Sequence, residues 1–161
     1  MSQFVHLHVH TQYSILDGQA SIPKLVDKAL ADGQPGIAVT DHGNMFGIKE
    51  FYNYTKKVKG KFKEKAAACE ARIAALRDGS EVVDDPAAEI ARCEKELEEL
   101  RRKAAFKAII GCEVYVARRT LYDKEGKPDQ SGYHLILLAK NLKGYHNLIK
   151  IVSKAWTEGF Y

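Results

Sequence analysis

Three histidines occupy alternate positions near the start of the chain, in the stretch FVHLHVHTQYSILDG (residues 4–18). Side chains two residues apart share a face of a β-strand, so His6, His8 and His10 would lie opposite an apolar face. Successive positions on one face are about 6–7 Å apart, which lets neighbouring imidazoles converge on one metal ion or on two adjacent ions. A single strand histidine is more often a hydrogen-bonded core or surface residue, but three in alternation make a metal site a serious alternative.

Further polar side chains follow or lie in the predicted strands. They are Asp17, Asp41, His42 and Glu113. Asp17 lies in the turn after the first strand, Asp41 and His42 follow the apolar run 37–39, and Glu113 lies within or after the third strand, in the run AIIGCEVYVA. Loops converge at the carboxyl ends of parallel strands, so we expect these side chains to gather beside the histidines.

Imidazole and carboxylate ligands together suit zinc or manganese, and several such ions suit the hydrolysis of phosphate esters. Each residue also has a simpler interpretation. Asp41 could cap a turn, His42 could be a loop residue, and Glu113 could be solvated. Their joint placement favours the metal site.

The elements that must position these residues alternate along the chain. Ser21, Pro23 and an apolar stripe that ends at Gly33 predict a helix. A strand at 37–39 and a helix at about 48–58 follow it. Strands at 108–117 and 133–139 precede a helix at 141–156 that begins at Asn141. The alternation predicts an α/β fold with a largely parallel sheet or barrel.

Residues 59–105 are rich in charge and alanine and carry no strand signal. Apolar residues at spacings of three and four predict the seam of an antiparallel helical hairpin, with its reversal near 79–85. The lysines between Lys56 and Lys65 could contact nucleic acid, although a charge run is more often a solvated face.

The 161 residues are 45% hydrophobic and 29% charged, with a formal net charge of +4, as in an ordinary globular domain. No stretch is apolar enough to be a secretory signal or a membrane span, so we expect a cytoplasmic protein without a membrane partner. Cys69, Cys93 and Cys112 have no CxxC spacing and are expected to be free thiols.

Four blocks carry a family resemblance: FVHLHVHTQYSILDG, GIAVTDHGNMFG, AIIGCEVYVA and YHLILLAKNLKGYHNLIKIVSKAWTEGFY. In this order they resemble the polymerase and histidinol phosphatase (PHP) domain family, in the form found at the N-terminus of bacterial DNA polymerase III alpha subunits. The resemblance covers nearly all of residues 1–161 outside the predicted hairpin. It implies a distorted barrel of seven β/α units, of which this chain would be an incomplete part.

The resemblance also implies a set of metal ligands at the barrel mouth, for up to three zinc or manganese ions in a complete domain. These are His8, His10, Asp17, His42, Glu113 and His134. Only the resemblance nominates His134, because it opens its predicted strand. His6 matches no ligand and is expected to be a buried hydrogen-bonding residue. We expect Cys112 to face away from the cluster, His146 to lie on the surface or in packing, and Trp156 to pack in the core.

Two departures from the family pattern shape the expected function. The predicted hairpin stands where the family usually has a short connection, so we interpret it as an insertion. The later histidine, cysteine and Asp-x-His ligands and the polymerase palm have no counterpart in this chain. We therefore expect a fragment of a DNA-directed DNA polymerase that contacts DNA and other replisome subunits, without polymerase activity and with little exonuclease activity of its own.

Three functions stay open for such a domain. The metal cluster could serve 3′ to 5′ exonuclease hydrolysis or structural support within the polymerase. A free-standing phosphoesterase, such as a histidinol-phosphate phosphatase, is a second alternative. The third is a scaffold that uses the hairpin to recruit another replication protein.

Overall fold

The structure is a computed structural model that describes residues 4–130 and 132–159. In this part of the chain, four helices and a three-stranded sheet form a mixed α/β arrangement. In chain order the elements are α1 (Ile22–Ala31), β1 (Gly36–Val39), α2 (Ile48–Asp78), α3 (Pro86–Ala104), β2 (Lys107–Val116), β3 (Tyr133–Leu138) and α4 (Leu142–Glu158). The α/β class is confirmed at this level, and the seven-unit barrel stays a prediction.

The sheet has β2 at its centre, with β1 on one side and β3 on the other. β1 pairs with β2 in parallel, with Gly36 opposite Lys107. β3 pairs with β2 in the antiparallel sense, with Gly111 opposite Leu138. The prediction of a largely parallel sheet is therefore wrong for β3 in the described sheet.

The predicted first strand lies along β1 but is not a regular strand. The carbonyl of His6 accepts from the Ala38 N–H and that of Val9 from the Thr40 N–H, each at 2.9 Å. Three residues of this segment thus match two residues of β1, which breaks the alternation of faces. In place of a backbone bond, the Val9 N–H donates to the Thr40 hydroxyl at 2.9 Å. The prediction of a regular strand over this stretch is wrong.

The body core lies between the sheet, α1 and the first turns of α2. It consists of Ile22, Val26, Ala29, Leu30, Ile37, Val39, Ile48, Phe51 and Phe106. The helix predicted after Ser21 is present and has proline in its first turn. This packing holds the loops after residue 10 and after β1 against the end of the sheet.

The helices α2 and α3 pack against each other as an antiparallel pair. α2 runs without a break from the body to Gly79, whose φ of +80° ends it, and the Asp85 side chain caps α3 by accepting from the Ala88 N–H. The hairpin core consists of Ala66, Cys69, Ile73, Cys93, Leu97 and Leu100. That residues 59–105 are an insertion into the domain stays a prediction.

The helix α4 packs Leu148 against Cys112 and Val114 of β2. Its predicted cap is present, because the Asn141 side chain accepts from the Gly144 N–H at 2.9 Å. Trp156 is 60% exposed, so its predicted core position is wrong, and its indole N–H donates to the Gly43 carbonyl at 2.6 Å. None of the helices in the described ranges is long and apolar enough to span a membrane.

Candidate metal centre

Glu113 is the centre of a polar cluster at one end of the sheet. An isolated bridge pairs it with His42, just beyond the end of β1. The Glu113 N–H donates to the Asp41 carbonyl at 3.1 Å, and the Glu113 carbonyl accepts from the Gly43 N–H at 2.8 Å. The carboxylate therefore has a fixed backbone, and its side chain is only 1% exposed.

Four imidazoles surround this buried carboxylate. His8 Nε2 lies 2.6 Å and His10 Nε2 3.1 Å from Oε2. His42 Nδ1 lies 3.3 Å from Oε1, and His134 Nδ1 is also in ion-pair contact with Oε1. Burial by itself raises the pKa of Glu113. The hydrogen bond from His8, and the attraction of the other imidazoles when they are protonated, outweigh burial and hold the pKa below its ordinary value.

Asp17 and Tyr115 extend the cluster around His42. Asp17 Oδ2 lies 2.8 Å from His42 Nε2, and the Tyr115 hydroxyl lies 3.0 Å from His42 Nδ1. The Tyr115 ring is parallel to that of His42 and meets the His134 ring edge to face at 4.8 Å between centroids. Both nitrogens of His42 are thereby held in place by a neighbour.

Potential ligand atoms form three overlapping groups in which all atoms lie within 4.8 Å of one another. These groups are His8, His10 and Glu113; His10, Asp17 and His42; and His42, Glu113 and His134. His8 Nε2 and His10 Nε2 are only 2.9 Å apart. So many nitrogen and carboxylate acceptors at such distances need shared protons or cations between them.

One carboxylate oxygen of the cluster lacks a hydrogen bond of normal geometry from the described residues. Glu113 Oε1 is fully buried and makes no hydrogen bond of normal geometry with any described residue, although His42 and His134 face it. A buried carboxylate oxygen without such a bond is costly. A cation held by Oε1 and the facing imidazoles would remove that cost, so the residues present fit a metal ion.

A hydrogen-bond chain through the buried Ser14 and Asp41 side chains sets the tautomer of neutral His10. The Ser14 hydroxyl donates to Asp41 Oδ1 at 2.7 Å, so its oxygen accepts from His10 Nδ1, which lies 2.9 Å away. With the proton on Nδ1, the lone pair of His10 Nε2 points into the cluster. The Ser14 oxygen also accepts from the His42 N–H at 3.2 Å. One serine thus positions two potential ligands.

Asp41, a candidate from the sequence, turns its carboxylate away from the cluster. Its Oδ1 accepts from the Thr11 N–H at 2.6 Å and its Oδ2 from the Thr11 hydroxyl at 2.9 Å. The side chain is buried and belongs to none of the three groups. It acts as a positioning residue that ties the loop after residue 10 to the end of β1.

The structure brings together all six residues that the family resemblance nominated. That these six residues bind metal stays a prediction. The site is open on one side, because the side chains of His8, Asp17 and His134 are each more than half exposed. A phosphate group from solution can therefore reach the cluster.

Several predictions near the cluster have clear outcomes. His6 is exposed and packs edge to face with Phe4, so its predicted burial is wrong. Leu7, which lies on the apolar face predicted opposite the histidines, is 48% exposed and so is not part of the core. Cys112 faces α4, away from the cluster, as predicted. His146 lies on the exposed surface of α4, also as predicted.

The antiparallel direction of β3 explains how His134 reaches the site. His134 lies opposite Tyr115 in the register, so the start of β3 is beside the end of β2. Reasoning from parallel strands could not place it there. Tyr115 was also missed, although its spacing of two from Glu113 puts it on the same face of β2. Ser14 carries no comparable signal, since only the folded loop brings it to His10.

Comparison with known proteins adds two findings. Residues 6–161 match the PHP domain family. The chain is also similar to DNA polymerase III subunit alpha from Treponema pallidum, with 38% identity over 159 residues, which is 98% of this chain and 10% of the relative. The corresponding subunits of Borreliella burgdorferi and Thermus aquaticus are 37% and 36% identical over 99% of this chain and 10% of each relative. The chain thus spans about a tenth of the length of these curated relatives.

Proposed function

Because the chain belongs to the PHP domain family, we propose that it is the metal-binding PHP domain of a bacterial DNA polymerase III alpha subunit. The metal centre would hold zinc or manganese and act in phosphodiester hydrolysis at a 3′ end. The buried Glu113 carboxylate among four imidazoles is the observation that carries this proposal.

The donor set supports a centre for more than one ion. Each pair of the three ligand groups has one residue in common, which is His10, His42 or Glu113, so these three residues would help to hold more than one ion. Imidazole nitrogen with carboxylate oxygen suits zinc and manganese better than magnesium or calcium, which prefer oxygen alone. We propose His8, His10, Asp17, His42, Glu113 and His134 as the ligands.

When bound, clustered divalent ions lower the pKa of water and offset the negative charge of a phosphate. The chain's own residues supply the remaining requirements. Asp41 and Ser14 keep His10 in one tautomer, and the Tyr115 hydroxyl holds the ring of His42. The open side of the cluster admits a flexible strand end, which a closed structural site would exclude.

The whole protein would then be a DNA-directed DNA polymerase with DNA and replisome subunits as partners, in the cytoplasm. Support comes from relatives named as polymerase subunits whose matched region covers nearly all of this chain. This favours the polymerase over a free-standing phosphatase. The described cysteines are free thiols, which fits a reducing compartment.

The test compares hydrolysis with metal occupancy in the complete polymerase subunit. We expect manganese or zinc to stimulate release of the 3′ nucleotide from a labelled single-stranded oligonucleotide. Glu113→Gln should abolish this release, while His146→Ala, an exposed histidine outside the cluster, should leave it unchanged. Wild-type protein with its metals measurably bound and no nucleotide release would contradict a hydrolytic function and indicate structural support.

A further inference from the structure

A basic segment lies on α2, and it contains none of the proposed metal ligands. Residues 56–65 contain six lysines and one glutamate, a net charge of +5, whereas the whole chain carries +4. The rest of the chain therefore has a slight negative charge. This local excess of positive charge belongs to one segment and cannot be a general property of the surface.

The lysines fall on two different faces of α2. Lys56, Lys59 and Lys63 line a groove together with Tyr52 and Thr55, and the groove floor includes Ala108 of β2. Lys57, Lys61 and Lys65 do not line it. Neither set forms an ion pair with any described acidic side chain. The groove lysines follow one another at about 4.5 and 6 Å along the helix axis.

A buried hydroxyl at this groove has no hydrogen-bond partner among the described residues. Thr55 is 3% exposed, and its Oγ1 makes no hydrogen bond with any residue that the structure describes. A buried hydroxyl without a partner costs free energy unless a ligand satisfies it. Its position among three uncompensated lysines indicates an anionic ligand with hydrogen-bonding oxygens, as in a phosphate group.

The groove also offers apolar and aromatic surface for a base. Tyr52 is 53% exposed and lies between this groove and a neighbouring one lined by Ile48, Leu142 and Tyr145. A basic row that follows a backbone, next to an aromatic side chain on which bases stack, is the pattern of single-stranded nucleic-acid binding.

We propose that this groove of α2 binds a single strand of nucleic acid. The phosphodiester backbone lies along Lys56, Lys59 and Lys63, and an unstacked base contacts Tyr52. The open shape and the row of lysines favour a strand over a mononucleotide, which would need a closed pocket. The proposal is independent of the metal centre and of its activity.

Fluorescence anisotropy of a labelled 20-nucleotide oligo(dT) with the 161-residue chain, in EDTA to exclude metal-dependent binding, tests this site. The groove variant Lys56→Gln/Lys59→Gln/Lys63→Gln is compared with the outer variant Lys57→Gln/Lys61→Gln/Lys65→Gln, which loses the same charge. We expect at least a tenfold loss of affinity in the groove variant and less than threefold in the outer one. The slope of log affinity against log salt should fall by about 2 in the groove variant.

Two further measurements distinguish a single strand of nucleic acid from other ligands. Millimolar ATP or inorganic phosphate should fail to displace the oligonucleotide, and Thr55→Val should weaken binding about threefold with the fold intact by circular dichroism. Equal losses in the two lysine variants would overturn the proposal, because they would indicate general charge attraction. Displacement by ATP, or unchanged affinity in Thr55→Val, would overturn it as well.

Discussion

At the scale of single residues, the site depends on side chains outside the set of six proposed ligands. The buried Ser14 and Asp41 side chains form a hydrogen-bond chain to His10 Nδ1, and this chain decides which nitrogen of neutral His10 carries the proton. Such partners of metal-bound histidines fix both the tautomer and the ring orientation. The affinity for metal should therefore respond to substitutions one step away from the ligands.

Ser14→Ala tests this dependence directly. The variant keeps every proposed ligand but removes the acceptor for His10 Nδ1 and for the His42 N–H, so affinity for manganese or zinc should fall about 10- to 100-fold. Isothermal titration calorimetry measures the change. Ser153→Ala, an exposed serine on α4, is the matched control and should bind as the wild type does. Unchanged affinity in folded Ser14→Ala would show that the serine does not position His10.

At the scale of elements, much of the fold was predictable from the sequence. The apolar runs and capping residues predicted α1, β1, β2 and α4 close to their observed bounds. These signals depend only on residues close together in the sequence, so they can be recognised without knowledge of the tertiary structure. The direction of β3 depends on how distant segments pair, and an apolar run such as YHLILL is compatible with either direction.

The same distinction applies to the candidate site. His8, Asp17, His42 and Glu113 follow from the rule that loops at strand ends converge. His134 follows only from the family resemblance, because the rule assumes parallel strands. The irregular first segment was not predicted. Its pairing places three of its residues beside two residues of β1, and the Val9 N–H donates to the Thr40 hydroxyl instead of to a backbone carbonyl. The local sequence carries no signal for such a side-chain contact.

The hairpin formed by α2 and α3 has its own core, so it should be separable from the body. Among the described hydrophobic residues, only Phe62 packs against both cores. Replacing residues 61–103 with a short Gly/Ser linker should leave one cooperative thermal transition, destabilised by on the order of 1 kcal/mol through loss of the Phe62 contact. Differential scanning calorimetry with circular dichroism measures this.

Phe51→Ala is the matched comparison for the hairpin deletion. Phe51 is fully buried in the body core, and its truncation should destabilise the same transition by about 3–5 kcal/mol. A deletion variant with no cooperative transition would contradict the separation of the two cores and make the hairpin part of the body.

At the scale of the whole molecule, the six proposed ligands come from four segments that the sheet brings to one end. His8, His10 and Asp17 precede α1, His42 follows β1, and Glu113 and His134 lie on β2 and β3. Such a site exists only in the folded chain, so metal binding and folding are coupled. Bound metal should therefore stabilise the whole body.

Calorimetric titration of the 161-residue chain with manganese and with zinc tests the central claim that this cluster binds metal. The wild type and His146→Ala should bind at least one ion with equal affinity. His8→Ala, at an exposed position, should weaken binding at least tenfold, and His8→Ala/His10→Ala should weaken it further, with folding checked by circular dichroism. Equal metal affinity in the wild type and in the folded double variant would contradict the account, because the ion would then lie elsewhere.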